Sequence, residues 1–269
     1  MPPIASTDNK RIKEIRALQR RAERDRTRRY FVDGVQIVGD AVRHGAPIET
    51  LIVAPEMLAG PMRRWTPPPG LPCLEVTRRV YESLARSASL QYGPQGIGAV
   101  IRQRCVPLSA LDPAEGLCWV ALETPQQPGN LGTVLRTCDA VGAAGVILLG
   151  PATDPYDPAS IRASMGAVFS RHLVRARLDA LARWKAATGI EVVGAVCDAP
   201  RDYRAHRYRR PTVLLMGDER VGLTPETVAL CDVTVSIPMV GACNSLNLGV
   251  ATGVMLYEIF TQHRGRPEK

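Results

Sequence analysis

The chain has few of the residues that mark secreted, metal-binding or membrane proteins. Its 269 residues include only four histidines, and its seven cysteines form no C-x-x-C pair. Neither a disulfide framework nor a metal site is therefore indicated, and we expect most of the cysteines to be buried as small apolar residues. No apolar run approaches the roughly 20 residues that span a bilayer, and the basic N-terminus is unlike a secretion signal. These absences predict a cytoplasmic protein that uses no metal and no membrane.

Acidic residues are the scarcer charge. The chain carries 34 Lys and Arg against 26 Asp and Glu, and residues 1–30 hold ten basic and four acidic side chains, which is six of the eight net positive charges. Because phosphate contacts release counterions, such a basic end favours a nucleic acid over a membrane surface. A solvated helix face is the alternative that composition leaves open. The predicted nucleic-acid contacts are Arg20, Arg21, Arg24, Arg28 and Arg29.

The hydrophobic pattern predicts two α/β domains. Residues 8–26 fit one amphipathic helix with Ile12, Ile15, Leu18 and Ala22 on a shared face. Short strands and helices alternate up to residue 104, and residues 105–116 are predicted to be a linker. From residue 117 to 269, helices separate five apolar strands, which predicts a parallel sheet covered on both faces. Ligands of such sheets bind beyond the carboxyl ends of the strands. The five strands are predicted at 117–122, 145–149, 192–196, 212–216 and 233–237.

The first candidate site is the helix after the strand at 117–122. Its apolar residues recur at helical spacing, Asn130 stands where an N-cap is expected, and Arg136 projects away from the apolar stripe. A surface arginine explains this placement as well as a phosphate-binding arginine near a strand end does.

The second candidate is the stretch from Met216 to Glu226. Gly217 and Gly222 have the spacing of a P-loop, but Leu223 occupies the lysine position, which excludes a P-loop NTPase. The two glycines permit a close backbone approach to a ligand, or they form an ordinary strand-to-helix turn. Pro225 indicates the first residue of a helix.

The third candidate is the polar entry to the last helix. Asn244, Ser245 and Asn247 precede an apolar helix that is rich in small residues. They either cap that helix or present hydroxyl and amide groups to a reacting centre. No G-x-G-x-x-G fingerprint follows any strand, which disfavours a nicotinamide enzyme.

The fourth candidate is the stretch from Arg201 to Arg210. It interleaves five arginines with Tyr203, His206 and Tyr208, a composition that suits single-stranded RNA through phosphate contacts and base stacking. An exposed loop between elements explains it equally well.

Taken in order, these stretches resemble the SPOUT superfamily of RNA methyltransferases, specifically its TrmH (SpoU) family. Residues 31–35 and 93–97 look like that family's RNA-binding extension, and residues 156–158 and 164–167 look most similar to its rRNA-modifying antibiotic-resistance members. Asp218 departs from the Asn that family members often have. The catalytic likeness is carried by Asn130-Leu131-Gly132 with Arg136-Thr137, Gly217-Asp218-Glu219 with Gly222-Leu223, Ile237-Pro238-Met239, and Ser245-Leu246-Asn247.

The resemblance implies an α/β protein in which a small N-terminal RNA-substrate-binding domain (1–104) precedes a parallel-sheet catalytic domain (117–269) with a deep trefoil knot. It implies a homodimer that moves a methyl group from S-adenosylmethionine to a ribose 2′-hydroxyl of RNA, with 23S rRNA as the expected substrate. By the same resemblance, Arg136 and Asn130 act at the 2′-hydroxyl and phosphate, and Glu219, Ser245 and Asn247 organise the substrate or the knot loops. The implied cofactor residues are Met216, Gly217, Gly222, Ile237, Met239, Ser245 and Leu246.

Three alternatives stay open from the sequence: a tRNA 2′-O-methyltransferase, a non-catalytic rRNA-binding protein, and an enzyme that methylates a base nitrogen. The role of Arg136 is also open. An arginine side chain is a poor base at neutral pH, because it stays protonated there. Either its proton equilibrium is strongly shifted, or it positions the phosphate and water takes the proton.

Overall fold

The computed structural model describes residues 2–60, 62, 66–85, 93–104, 106–151, 153–218 and 220–264. The chain forms two compact units. The first comprises residues 1–104 and 156–162, and the second comprises residues 105–155 and 163–269. None of the described helices is long and apolar enough to cross a membrane.

The first unit is built on a four-stranded mixed sheet in the order β1-β4-β2-β3, where β4 is antiparallel to both of its neighbours and β3 is parallel to β2. A core cluster that includes Ile12, Ile52, Val80 and Tyr81 packs helices against this sheet. The elements are α1 (Lys10–Ala17), α2 (Arg21–Thr27), β1 (Arg29–Asp33), α3 (Val35–Arg43), β2 (Ile48–Val53), β3 (Cys73–Glu75), α4 (Arg78–Leu84) and β4 (Ile97–Arg102).

The prediction of a single helix over residues 8–26 is wrong, because the chain turns between α1 and α2. Ile12, Ile15 and Leu18 are buried as expected, but Ala22 is exposed and Arg24 is buried in its place, with 3% of its surface accessible. The Arg24 guanidinium donates to the carbonyl oxygens of Leu18 and Gln19 at 2.9 and 2.8 Å. It thereby satisfies carbonyls that the end of α1 leaves without helical partners.

The second half of the chain carries a six-stranded sheet in the order β10-β8-β9-β5-β6-β7. Every recorded strand pair in it is parallel, so the predicted parallel sheet is confirmed. The elements are β5 (Trp119–Glu123), α5 (Pro128–Val141), β6 (Gly145–Leu149), α6 (Pro158–Ser164), α7 (Ala167–Ser170), β7 (His172–Ala176), α8 (Leu178–Thr188), β8 (Glu191–Ala195), β9 (Thr212–Met216), α9 (Pro225–Leu230), β10 (Val233–Val235) and α10 (Leu248–Arg264).

Two features of the second unit were not predicted. The edge strand β7 is absent from the predicted strands, because it carries polar residues and lacks the continuous apolar run of the central strands. Residues of the predicted linker pack into the core of the second unit, where Leu108 and Leu111 join a cluster that contains Trp119. The stretch 105–116 is therefore part of this unit in the structure.

Residues 156–162 cluster with the first unit although they follow β6 in sequence. The ring of Tyr156 stacks on Tyr30 with centroids 4.5 Å apart, and its hydroxyl donates to the carbonyl oxygen of Arg104 at 3.3 Å. Asp157 lies 3.7 Å from the guanidinium of Arg24. No periodicity signals such an insertion, because its partners are distant in sequence.

The expectation that most cysteines are buried is wrong for the six that the structure describes. Only Cys118 and Cys138 are buried, and burial raises the pKa of both thiols, that of Cys118 to about 12. Cys73, Cys197 and Cys243 are exposed. They lie at a short strand or in loops, where apolar neighbours in sequence do not form a core.

Candidate active site

A cavity of about 610 Å³ lies at the carboxyl ends of β8, β9 and β10. This is the edge at which parallel sheets bind ligands. The structure brings together every residue that the resemblance implied for the cofactor, since all of them line this cavity: Met216, Gly217, Gly222, Ile237, Met239, Ser245 and Leu246.

A tight turn after β9 forms one wall of the cavity. Asp218 and Gly222 exchange two backbone hydrogen bonds of 3.1 and 3.0 Å. A Cβ atom on Gly217 would lie only 2.2 Å from the carbonyl carbon of Gly222, so only glycine permits this backbone contact. Asp218 Oδ1 accepts hydrogen bonds from the amides of Arg220 and Val221, a role that aspartate fills as well as the asparagine expected from the resemblance. The predicted site residue Glu219 lies outside the described residues.

The start of α9 anchors the far end of this turn. Thr224 is the N-cap and Pro225 is the first helical residue, as predicted. Glu123, at the end of β5, accepts hydrogen bonds from the amide and hydroxyl of Thr224 at 2.9 and 2.8 Å and from the hydroxyl of Thr227 at 2.7 Å. Sequence reasoning missed Glu123, although a carboxylate that closes an apolar strand is a signal that could have found it.

Asn130 does not cap α5, and that prediction is wrong. The helix begins at Pro128 with Gln127 as its N-cap, so Asn130 lies within the first turn. Its Oδ1 accepts a hydrogen bond from Nδ2 of Asn247 at 3.0 Å. Asn247 in turn accepts from the amides of Gly249 and Val250, at 2.9 and 3.3 Å, and so caps α10. The two asparagines join the first turn of α5 to the first turn of α10.

Small residues let α5 and α10 pack closely. A Cβ on Gly249 would lie 3.0 Å from Cγ2 of Thr133, which is tighter than ordinary van der Waals contact. The predicted role of small residues in helix packing is thus confirmed at Gly249. Asn247 directly follows Ser245 and Leu246, which line the cavity, but neither Asn130 nor Asn247 is among the lining residues.

Arg136 lies on the exposed face of α5, about two turns after the helix begins. The predicted apolar stripe is confirmed, since Leu131, Val134, Leu135 and Cys138 have no accessible surface. The Arg136 side chain is therefore available to an incoming ligand without any change in the core.

The five predicted RNA contacts differ in their surroundings. Arg20, Arg21 and Arg28 are exposed, whereas Arg29 is half-buried and lies 3.6 Å from Glu49. The prediction that Arg24 contacts RNA is wrong, because this residue is buried and its guanidinium donates hydrogen bonds to backbone carbonyls rather than facing solvent.

The stretch from Arg201 to Arg210 offers arginines but few rings for stacking. Its five arginines are exposed, but Tyr208 and His206 are buried and meet edge to face with centroids 4.9 Å apart. The Tyr208 hydroxyl donates to the carbonyl oxygen of Tyr203 at 2.9 Å. The aromatic half of the predicted RNA-stacking surface is thus largely used inside the protein.

The described residues contain no group of three or more His, Cys, Asp or Glu side chains that could hold a metal ion. Cys197 and Asp198, which sequence reasoning did not select, line the cavity just after β8. Their position in the sequence could have indicated a site, since they follow the end of an apolar parallel strand.

Comparison with known families covers both halves of the chain. Residues 118–257 match the SpoU rRNA Methylase family, and residues 9–99 match the MRM3-like substrate binding domain. The chain belongs to the SpoU rRNA methylase family. The match to this family contains α5, the turn after β9 and most of α10, and so includes every described residue assigned above to catalysis or cofactor binding.

Relatives of this SpoU family member include proteins that match along nearly its whole length. The 23S rRNA (uridine(2479)-2′-O)-methyltransferase of Streptomyces viridochromogenes is 34% identical over 94% of this chain and 90% of its own. The AdoMet-bound rRNA methyltransferase from Sinorhizobium meliloti superimposes with a TM-score of 0.86 at 37% identity, covering 97% of this chain and 98% of that one. The tRNA (guanosine(18)-2′-O)-methyltransferase of Escherichia coli K12 is 35% identical, but over 54% of this chain and 63% of its own.

Proposed function

We propose that this protein transfers a methyl group from S-adenosylmethionine to a ribose 2′-hydroxyl of 23S rRNA. The observation that carries the proposal is the link from Asn247 to Asn130, which joins the loop of the 610 Å³ cavity to the helix that bears Arg136. Membership of the SpoU family supports the reaction class. The full-length match to an rRNA enzyme, against a half-length match to a tRNA enzyme, supports rRNA as the substrate.

The cavity suits S-adenosylmethionine in size and in chemistry. Its volume of about 610 Å³ falls within the roughly 300–1,000 Å³ of small-molecule sites. The Gly217 backbone, which tolerates no Cβ, leaves peptide groups close to the cavity, while Met216, Ile237 and Leu248 supply apolar surface for a purine. Met216, Gly217, Gly222, Ile237, Met239, Ser245 and Leu246 would hold the cofactor. When bound, it supplies an electrophilic methyl group on a sulfonium centre.

Arg136 is the residue of this chain that orients the acceptor. A ribose hydroxyl is a weak nucleophile, so its rate of attack depends on alignment with the methyl group. The guanidinium fork binds the phosphate beside the target ribose in a bidentate manner and fixes that alignment. Arginine stays protonated near neutral pH, so in this mechanism water accepts the hydroxyl proton.

Asn130 and Asn247 are positioning residues, which act on the reaction by holding α5 and α10 in place. Their side chains are hydrogen-bonded to each other, and Asn247 also caps α10, so they hold the two helices in register. Ser245 lies in the exposed loop just before Asn247 and faces the cavity, where its hydroxyl serves the cofactor or the ribose. Glu219 keeps the role of organising the substrate that the resemblance gives it.

The first unit supplies RNA affinity in this proposal. The match to a substrate-binding domain and the exposed arginines Arg20, Arg21 and Arg28 support that role. Because the rRNA relative matches 94% of this chain whereas the tRNA relative matches 54% of it, and the first unit matches a substrate-binding domain, we assign substrate choice to this unit.

A homodimer with a deep trefoil knot completes the proposal. One side of α10 exposes two large apolar side chains, Val250 and Tyr257, whose accessible fractions are 54% and 52%. We assign the dimer contact to this side of the helix, because burial of exposed apolar side chains against a partner is favourable. Light scattering on the purified protein should give twice the monomer mass, and Tyr257→Glu should lower it.

The decisive experiment is methylation in vitro of purified 23S rRNA and total tRNA with labelled S-adenosylmethionine, followed by nucleoside mapping. Label should appear in a 2′-O-methylated nucleoside of 23S rRNA and be nearly absent from tRNA. Label in a base, or preferential labelling of tRNA, would contradict the proposal. Tight RNA binding with no label in either RNA would favour a non-catalytic rRNA-binding protein.

A further inference from the structure

Three charged side chains of described residues line the cavity: Asp198, Asp218 and Arg220. Asp218 Oδ1 already accepts hydrogen bonds from the amides of Arg220 and Val221, at 2.8 and 3.2 Å. The carboxylate of Asp198 and the guanidinium of Arg220 have no ion pair or side-chain hydrogen bond with any other residue that the structure describes. The cavity therefore presents one carboxylate and one guanidinium that pair with no other described residue.

Asp198 and Arg220 lie at the same edge of the sheet but on different strand ends. Asp198 follows β8 and Arg220 lies in the turn after β9, and these strands pair in register up to Ala195 and Met216. The two side chains do not form an ion pair with each other although they line one cavity. Both charged groups therefore remain available to a ligand in this cavity.

Opposite charges held apart select a particular ligand chemistry. A phosphate group would be attracted by Arg220 and repelled by Asp198, whereas a simple cation would be attracted by Asp198 and repelled by Arg220. A zwitterion that carries an ammonium and a carboxylate satisfies both side chains at once. The remaining lining is mostly apolar or backbone, which suits an uncharged ring system attached to that zwitterion.

We propose that Asp198 binds the α-ammonium group and Arg220 binds the α-carboxylate of the amino-acid end of S-adenosylmethionine. The proposal rests on the function proposed above and assigns two further residues to its cofactor site. Both side chains are exposed, so solvent screens each pair, and each is expected to contribute about a fivefold change in affinity.

The test is calorimetric titration of the full-length protein with three ligands. S-adenosylmethionine and S-adenosylhomocysteine carry the amino-acid end, whereas 5′-methylthioadenosine keeps the adenosine and thioether but lacks it. Asp198→Asn and Arg220→Gln should each weaken binding of the first two ligands about fivefold and leave 5′-methylthioadenosine unchanged. Glu226→Gln and Arg207→Gln remove the same charges from exposed positions outside the cavity and should change none of the three.

The outcomes separate this inference from the function on which it rests. Wild-type protein that binds S-adenosylmethionine, together with an Asp198→Asn variant of equal affinity, would overturn only the inference. Equal weakening of all three ligands would also overturn it, because the two residues would then act through the shape of the loops. A folded wild-type protein that binds none of the ligands would overturn the proposed function as well.

Discussion

Asn247 donates a hydrogen bond from Nδ2 to Oδ1 of Asn130 at 3.0 Å, across 117 residues of chain. The Oδ1 atom of the same Asn247 accepts hydrogen bonds from the backbone amides of Gly249 and Val250. One side chain therefore starts α10 and ties it to the first turn of α5. The helix that carries Arg136 and the loop that lines the cavity are thereby held in one arrangement.

Substitutions of Asn247 should distinguish its capping of α10 from its hydrogen bond to Asn130. Asn247→Asp keeps the acceptor that caps α10 but removes the donor to Asn130, so methyl transfer should fall at least tenfold while the cap persists. Asn247→Ala removes both and should also lower the free energy of unfolding by about 1 kcal/mol. Asn9→Ala is the matched control, because Asn9 caps α1 in the first unit by accepting a hydrogen bond from the amide of Arg11. Full activity in Asn247→Asp would refute the positioning role.

Arg136→Ala should abolish most methyl transfer, measured as label incorporated into rRNA. Its side chain is exposed, so the melting temperature and cofactor affinity should stay near those of the wild type. Arg136→Lys should restore little activity, since a point charge lacks the bidentate fork. Arg183→Ala, at an exposed position on α8, is the control. Undiminished turnover in Arg136→Ala would make this arginine an ordinary surface residue.

Gly217→Ala should impair folding of the cavity wall. The new Cβ would meet the backbone of Gly222 at 2.2 Å, and backbone cannot move aside as a flexible side chain can. We expect loss of S-adenosylmethionine binding in calorimetry and a lower melting temperature. Gly241→Ala makes the same chemical change where nothing lies within 4 Å of the new atom, and it should be tolerated. Normal binding by Gly217→Ala would show that the turn is not packed as described.

The arginines of the N-terminal segment should divide into two classes. Replacing Arg20, Arg21 and Arg28 by Gln should weaken RNA binding at low salt and lower the log–log salt slope by about 0.7–0.9 for each lost phosphate contact. Arg24→Gln should instead lower the melting temperature, because its buried guanidinium satisfies the carbonyls at the end of α1. Binding and melting curves recorded for both variants check the division. An Arg24→Gln protein of normal stability and weakened RNA binding would contradict it.

Alkylation with iodoacetamide near pH 8 should distinguish the thiols. Cys118 and Cys138 should stay unmodified until the protein unfolds, because burial raises their pKa and blocks access. Cys73, Cys197 and Cys243 are exposed and should react. Saturating S-adenosylmethionine should protect Cys197, which lines the cavity, but not Cys73 in the first unit. Site-resolved mass spectrometry measures each rate, and unprotected Cys197 would argue against cofactor binding in this cavity.

The insertion of residues 156–162 changes how a truncation must be designed. Removal of residues 1–104 would take away Tyr30 and Arg24, which pack against Tyr156 and Asp157. Loss of activity in such a fragment would therefore mix loss of RNA affinity with exposure of a buried tyrosine. The point substitutions above avoid that ambiguity.

Much of this protein is determined by local sequence. The apolar runs of β5, β6 and β9 are predictable because a strand buried on both faces of a parallel sheet has no polar side. The stripe of α5 follows from helical spacing, and Thr224-Pro225 from the chemistry of helix starts. The motif residues that line the cavity are recognisable in order along the chain.

Tertiary structure decided the rest, because it depends on partners that are far apart in sequence. Asn130 looks like a cap until Asn247 supplies its partner, and Arg24 looks like an RNA contact until the turn after α1 buries it. Glu123 becomes an anchor only when the start of α9 meets the end of β5. A polar side chain takes whichever hydrogen-bonding partner the fold brings within about 3 Å, and spacing along the chain does not contain that distance.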